Sequence, residues 1–397
     1  MQVKSAVGSM VRQNGYSGPF IVATSIFFIH LLSLPPKWAT LHISGLLLVL
    51  ATLYARRDAW CSEAIRSYLV ITCAWLIPFV MVAIWQNTVG LDTATTWPEL
   101  VRLILRVLGV GVGVLVLLHR GWLTLRAVTI AVLCVLAINT VVGYAEWAFS
   151  GNEIQDGWRA FRMQGMVFNP NPFGTFMALS VVLSAGLLRG KTGSILLWGL
   201  LIMAATAVWA SGSRGAILAA LVGLAMLFLP HNRRGLAIFL GSVSLLLVAM
   251  VLYTYSDCKY SEGDVLRAQA AVFSIEKILE SPLYGWGKHA FSALPGRPDV
   301  NAPHNMLLDL ALAGGLFVLL MWLVSMAWLS SALVRKKGEP SRVALALLMT
   351  VVSAGVLEYS LLDSTHFRGI WVLITALACW VLASHDDRKP EGNGVAS

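Results

Sequence analysis

Four short segments of this 397-residue chain carry residue types able to hold an anion and move a proton. One is Ser211-Gly212-Ser213-Arg214-Gly215, which interrupts two apolar runs. Small residues let a backbone approach a ligand closely. A helix beginning at about Ala216 would point its first N–H groups the same way as the Arg214 guanidinium, which together make an anion cradle. A tight interhelical turn with a solvated arginine is the competing reading. A second segment is Pro303-His304-Asn305, directly before a long apolar run. A histidine held by a proline and a helix start at a membrane boundary is placed to take a proton near neutral pH, although lone histidines are more often structural.

The third segment runs from Arg162 through Asn169-Pro170-Asn171-Pro172. Asn-Pro repeats break helices and free carbonyls, so the entry to the following run should be irregular. A proline-started helix explains the prolines but leaves Arg162 unaccounted for. The fourth lies within 255–305, where Asp264 to Leu279 is amphipathic: Val265, Leu266, Ala270, Val272, Phe273 and Ile275 are apolar, while Arg267, Glu276 and Lys277 are polar. That pattern fits a helix on a membrane surface, ending before Ser281-Pro282. The glycine-rich, aromatic turn Pro282 to Lys288 follows. An interfacial lid that only anchors the chain is the alternative, since aromatic rings favour headgroup level regardless of function.

The elements that must position these residues are set by composition. Of the chain, 57% is apolar and only 12% charged, whereas soluble domains carry roughly a quarter charged residues. A water-soluble enzyme, a disordered chain and a nucleic-acid binder are therefore excluded, although a net charge of +9 in a soluble chain would suggest a polyanion partner. The expected fold is all-α: a polytopic membrane protein with about 12 transmembrane helices and a long periplasmic loop containing an amphipathic helix. Apolar runs fall near 20–34, 38–55, 65–86, 100–118, 123–149, 172–189, 194–210, 215–229, 236–254, 306–334, 342–362 and 369–384. The first is read as a retained span rather than a signal peptide. The organisation that follows is 1–254 for the first nine spans, 255–305 for the loop over the site, and 306–397 for the last three spans and a cytoplasmic tail.

Short loops rich in Lys and Arg resist translocation. With a cytoplasmic N-terminus, the inner loops receive Arg56-Arg57, Arg120, Arg189 with Lys191, Arg233-Arg234, and Arg335-Lys336-Lys337 with Arg342. Both termini are then cytoplasmic. Basic residues left on the outer face gather around Arg159 and Arg162, Arg214, and the loop holding Lys259, Arg267, Lys277, Lys288 and Arg297. Arg102 and Arg106 lie within a predicted span at i,i+4 spacing, as functional charges or as side chains snorkelling to headgroups. The five cysteines suggest neither a disulfide framework nor a CxxC metal pair, and the histidines show no HExxH or other ligand spacing. No metal and no cofactor is expected.

Taken in order, these segments resemble the O-antigen ligase and polymerase superfamily of bacterial inner-membrane glycosyltransferases. The matching elements are Arg-x-x-Gly…Asn-Pro-Asn (Arg162 to Asn171), Ser-Arg-Gly-Ala (Ser213 to Ala216), Arg…Pro-Leu-x-Gly-x-Gly (Arg267, then Pro282 to Gly287) and Pro-His-Asn (Pro303 to Asn305). The resemblance implies transfer of a glycan from an undecaprenyl-pyrophosphate carrier in the periplasm, with Arg162, Arg214 and Arg267 on the pyrophosphate and His304 activating the acceptor hydroxyl. Arg159, Lys288 and Asn305 are further candidates for substrate contact. The family often has an acidic residue just before a glycine after the histidine; here Ala313 precedes Gly314, with Asp309 as the nearest substitute.

The residues fit such chemistry. Pyrophosphate is already a good leaving group, so the protein need only neutralise growing charge, which arginines do through bidentate donors, and orient an acceptor near a base. A direct displacement would invert the anomeric carbon. The expected activity is that of an O-antigen ligase acting on lipid A-core in lipopolysaccharide biosynthesis. The polymerase and the protein O-oligosaccharyltransferase of the same superfamily are alternatives; 397 residues leave no room for the extra soluble domain of many protein-glycosylating members. A lipid-linked glycan transporter is a more distant one, because the two halves show no matching features.

Overall fold

The computed structural model describes residues 18–33, 57–149, 162–189, 194–228, 262–300, 302–359, 361–362 and 364–384. Among the described residues every regular element is helical. In chain order these are α1 (Gly18–Ser33), α2 (Arg57–Trp60), α3 (Glu63–Thr88), α4 (Trp97–Ile104), a π-helical turn (Leu105–Gly109), α5 (Val110–His119), α6 (Leu125–Phe149), α7 (Pro170–Leu188) and α8 (Ile195–Ala210). They continue as α9 (Arg214–Phe228), α10 (Glu262–Glu280), α11 (Ala290–Ala293), α12 (Met306–Arg335), α13 (Glu339–Glu358) and α14 (Thr365–Ala383). The expected spans at 38–55 and 236–254, residue Arg159 and part of the long loop lie outside the described residues. Each remaining span coincides with a helix, with ends displaced by a few residues.

Among the described residues seven helices are long and apolar enough to cross a membrane, with the continuous run Trp97–His119 taken as one, and α1, α8 and α9 are shorter apolar helices. Their outward faces carry large bare apolar side chains, such as Val70, Met81, Val141, Ile195, Leu196 and Leu320. Monomers in water rarely expose so much contiguous apolar surface. This is a multi-pass membrane protein.

Inside, α9 packs between α7 and α13, while α12 lies on α3 and α14 lies on α3, α5 and α13. Trp75, Trp322 and Trp371 are fully buried, with Trp75 and Trp371 meeting edge to face at 5.8 Å between ring centres. Two glycines on one face of α9 set how close α13 can come: a Cβ on Gly223 would lie 2.1 Å from Thr350 Oγ1, and one on Gly215 would lie 2.5 Å from Glu358 Cγ. Small residues of this kind allow helices to approach closely in lipid, where packing replaces the hydrophobic drive. The approach brings the 211–215 turn onto the last residue of α13.

A second device holds the long loop. α12 is broken at Gly315 (φ 80°, ψ 172°), and the loop after α10 occupies the break. Trp286 N–H donates to Leu312 O at 2.7 Å, Gly287 N–H to Ala313 O at 3.0 Å, and Leu316 N–H to Pro282 O at 2.7 Å. The buried Gln86 of α3 closes the arrangement by donating to Tyr284 O (2.7 Å) and Ala313 O (3.0 Å). Helix carbonyls freed by the break are thereby satisfied, as buried backbone must be. The Pro282–Lys288 turn is thus a clamp that fixes α10 against the start of α12.

The opposite end of the bundle shows what the basic loop residues do locally. Lys336 Nζ donates to Val381 O at 2.7 Å and Leu382 O at 2.8 Å, at the C-terminus of α14. Arg189 Nη1 donates to Leu227 O at 2.5 Å, near the C-terminus of α9. Cations at helix C-termini satisfy unpaired carbonyls and the helix dipole.

Candidate functional site

The four segments meet at one end of the bundle. The irregular entry expected before α7 is present: Gly165–Val167 forms a 3₁₀ turn, Phe168 is left-handed at φ 54°, and Asn169 caps α7 by accepting from Asn171 N–H at 3.1 Å. α6 supports this turn from beneath, with Glu146 accepting from Gly165 N–H at 2.9 Å and Asn139 from Met166 N–H at 2.9 Å. The turn delivers Arg162 to the 211–215 segment. Arg162 Nε donates to Ser211 O at 2.7 Å and Nη2 to Asn171 Oδ1 at 2.6 Å.

The 211–215 segment is a left-handed turn at Gly212 (φ 60°), and α9 begins at Arg214. Its first amides are not available to a ligand in the way the spacing suggested. Ala216 N–H donates to Ser213 Oγ (3.1 Å), and Gly215 N–H to Glu358 Oε1 (3.3 Å). Glu358 occupies the positive end of the α9 dipole, so the anion-binding capacity of this segment resides in the Arg214 side chain, which is exposed.

α10 is the amphipathic helix expected from the sequence. It packs through Ala270, Phe273 and Ile278 against Phe291, Ala311 and Leu312, leaving Val272, Ile275 and Leu279 exposed on another face. This docking holds Arg267 close enough to act electrostatically on Arg162, His304, Glu358 and Tyr359. Arg214 acts on Arg162 as well. Arg162, Arg214 and Arg267 are thereby linked into one cationic cluster, and Arg267 ties His304 to it. Burial above all, with Arg267 and Arg214 adding to it, lowers the Arg162 pKa, while Glu358 opposes them.

His304 is half-buried and its backbone is left-handed at φ 52°. Non-glycine residues adopt that conformation rarely, and such strain gathers at functional positions. Burial, then the charge of Arg267, lowers its pKa below the ordinary 6.5, and a hydrogen bond to the Glu358 backbone works the other way. The imidazole is thus neutral at pH 7 and competent to accept a proton. Its acceptor partner is the carbonyl of Glu358 rather than the carboxylate of Asp309. Asp309 is buried in α12 and accepts from Leu362 N–H at 3.3 Å.

The remaining sequence candidates divide. Asn305 caps α12, its carboxamide oxygen accepting from Leu307 N–H (2.9 Å) and Leu308 N–H (3.1 Å). Lys288 pairs with Glu99 at 2.7 Å, and the second oxygen of Glu99 meets His289 Nε2 at 2.6 Å. Both residues contribute to holding the site's frame. Arg102 acts on Arg106, which lies within the π-helical turn, and neither is among the groups acting on Arg162 or His304. Among the described residues no three His, Cys, Asp or Glu side chains gather as metal ligands.

Glu358 is the residue that sequence reading passed over. It is 6% exposed, and Oε1 accepts from Ser213 Oγ at 2.9 Å. The signal was available: a carboxylate within a predicted span is costly and marks function by default. Tyr359, beside it, is buried; its hydroxyl takes the Thr175 Oγ1 hydrogen at 3.1 Å and its ring stacks on Phe367 at 5.1 Å.

The site is thus a cluster of three arginines beside a neutral histidine at one end of a multi-pass helical membrane protein. Residues 198–323, about a third of the chain, match the family model described as O-antigen ligase. The match includes Arg214, Arg267 and His304; Arg162 and Glu358 lie outside it and join the site through the fold. No curated protein matches the chain.

Proposed function

We propose that this protein is an O-antigen ligase: it transfers O-antigen polysaccharide from undecaprenyl pyrophosphate to lipid A-core on the periplasmic side of a bacterial inner membrane. The observation that carries this reading is that Arg267 acts electrostatically on both Arg162 and His304, while Arg214 acts on Arg162, so the three arginines and the histidine are linked at one end of the bundle. Three guanidinium groups and one carboxylate, Glu358, leave a positive balance that suits a pyrophosphate diester. In the reaction the acceptor hydroxyl oxygen bonds to the anomeric carbon as the bond to the pyrophosphate oxygen breaks. The electron pair goes to the leaving pyrophosphate, the hydroxyl proton goes to His304, and the anomeric configuration inverts. The arginines stabilise the charge that grows on the pyrophosphate, which is where preorganised donors contribute most. The apolar faces of the helices keep the polyprenyl chain of the donor in lipid.

The test is reconstitution of the full-length protein in vesicles with carrier-linked O-antigen and rough lipopolysaccharide. Ligation that disappears in His304→Ala supports the reading. Absence of ligation by folded wild-type protein overturns it, and extension of glycan on the carrier would assign the polymerase activity instead.

A further inference from the structure

We propose that Glu358 is a positioning residue that holds the anion site and the base in one register, with its carboxylate docking the Ser213–Gly215 turn and its carbonyl orienting His304. The inference rests on the glycosyl-transfer reading of the site. It begins from a carboxylate whose two oxygens are used unequally. Oε1 takes the Ser213 hydroxyl hydrogen at 2.9 Å and the Gly215 N–H at 3.3 Å. Oε2 is buried and has no hydrogen-bond partner among the described residues. Burying a carboxylate costs free energy unless it is fully bonded or offset by charge. A partial offset to burial comes from Arg267 and Arg162, the arginines placed to hold the substrate.

The geometry ties three elements to a single residue. Glu358 ends α13, and its carbonyl is among the last carbonyls of a helix that have no partner inside it. That carbonyl accepts from the His304 imidazole, leaving the other ring nitrogen for the acceptor hydroxyl. The side chain of the same residue grips the turn bearing Arg214, and Ser211 of that turn grips Arg162 through its carbonyl at 2.7 Å. The close approach that permits this is set by Gly215, where any Cβ would collide with Glu358.

A glutamine could satisfy Ser213 and Gly215 through its amide oxygen at similar volume. What only the carboxylate supplies is negative charge. It holds the arginines together before substrate arrives, and it prevents the emptied site from retaining the pyrophosphate product. A carboxylate serving packing alone has no reason to keep a buried, unsatisfied oxygen on a group within electrostatic reach of two guanidinium groups.

The experiment uses purified full-length protein, with inorganic pyrophosphate as the binding probe in calorimetry and carrier-linked glycan as the substrate for turnover. Glu358→Gln is expected to bind pyrophosphate about fivefold to tenfold more tightly, because an opposing charge is gone. Its turnover is expected to fall at least about tenfold without a rise in KM, since misplaced donors and slow product release act on kcat. Ser213→Ala, which keeps the charge but loses the grip, should slow turnover while leaving pyrophosphate affinity within about twofold. Thermal unfolding of both variants near the wild-type midpoint shows that they fold. Wild-type turnover in Glu358→Gln overturns the proposal, as does pyrophosphate binding that weakens along with stability, which is what a purely structural role predicts. Wild-type protein that neither binds pyrophosphate nor transfers glycan would instead overturn the function reading on which the proposal stands.

Discussion

Arg162 donates from Nη2 to Asn171 Oδ1 at 2.6 Å, so the side chain that sequence reading singled out is aimed by an asparagine nine positions further on. With Nε committed to Ser211 O at 2.7 Å, one edge of the guanidinium is structural and a ligand is left the Nη1 side. Asn171→Ala removes a charge-assisted bond of about 1.5–3 kcal/mol. The expected result is a loss of roughly tenfold or more in kcat/KM for glycan transfer. The α7 cap should survive, because Asn169 takes the Asn171 backbone N–H rather than its side chain. Arg162→Lys cannot reach both partners and should lose more. Transfer kinetics of the two variants in vesicles check this, and wild-type activity in either would show that the aim of Arg162 is immaterial.

The pH dependence follows from His304. Its folded pKa lies below the ordinary 6.5, first because of burial and then because of Arg267. A base with a depressed pKa stays neutral down to more acidic conditions, so kcat/KM should be flat through pH 7 and fall only as pH drops below about 6.5. The sign for stability is the same. In the unfolded chain the imidazole takes up its proton at a higher pH than in the folded protein, so acidification favours unfolding across that window. Arg267→Gln should move the acidic limb of the rate profile toward higher pH, apart from its effect on donor binding. An unmoved limb would remove Arg267 from the surroundings of the base.

Much of this architecture could be read from the residues, and the failures have physical causes. Hydropathy located the helices because span length and apolar content are fixed by the bilayer rather than by tertiary packing. Prolines and asparagines located the irregular entry to α7 because they act on their own backbone. The role of the Pro282–Lys288 turn was not legible, since it depends on the break in α12 at Gly315 that receives it. A carboxylate inside a span marked Glu358 as unusual, but its partner was not legible, because Ser213 lies 145 positions away and meets it only across the bundle. The partner of Lys288 was not legible for the complementary reason: spacing shows a cation but not the carboxylate of Glu99 that the fold brings to it.

Lys288 therefore separates frame from site. Its partner Glu99 is shared with His289, and both side chains are only partly exposed. Lys288→Met should cost on the order of 1 kcal/mol of stability, the upper range for a solvent-accessible pair, and leave transfer within about threefold of wild type. Arg267→Ala, in the preceding helix α10, should abolish transfer. A large activity loss in Lys288→Met without loss of stability would return this lysine to the substrate.

The loop clamp makes a prediction with its own control. Gly285 is left-handed at φ 57°, and a Cβ there would lie 2.6 Å from Leu312 O and 2.7 Å from Gly315 N, both backbone atoms that cannot rotate away. Gly296 is also left-handed, at φ 79°, but a Cβ there would meet nothing within 4 Å. Alanine at Gly296 thus carries only the conformational cost of a left-handed residue, about 1–2 kcal/mol. Alanine at Gly285 carries that cost plus displacement of the loop from the α12 break, together roughly 3–5 kcal/mol. Thermal unfolding of the full-length variants measures the difference. Because the loop is what fixes α10 against α12, Gly285→Ala should also separate Arg267 from His304 and suppress transfer at temperatures where the protein is still folded, while Gly296→Ala should transfer normally. Equal effects of the two substitutions on stability and activity would mean that the loop rests on the break without holding it.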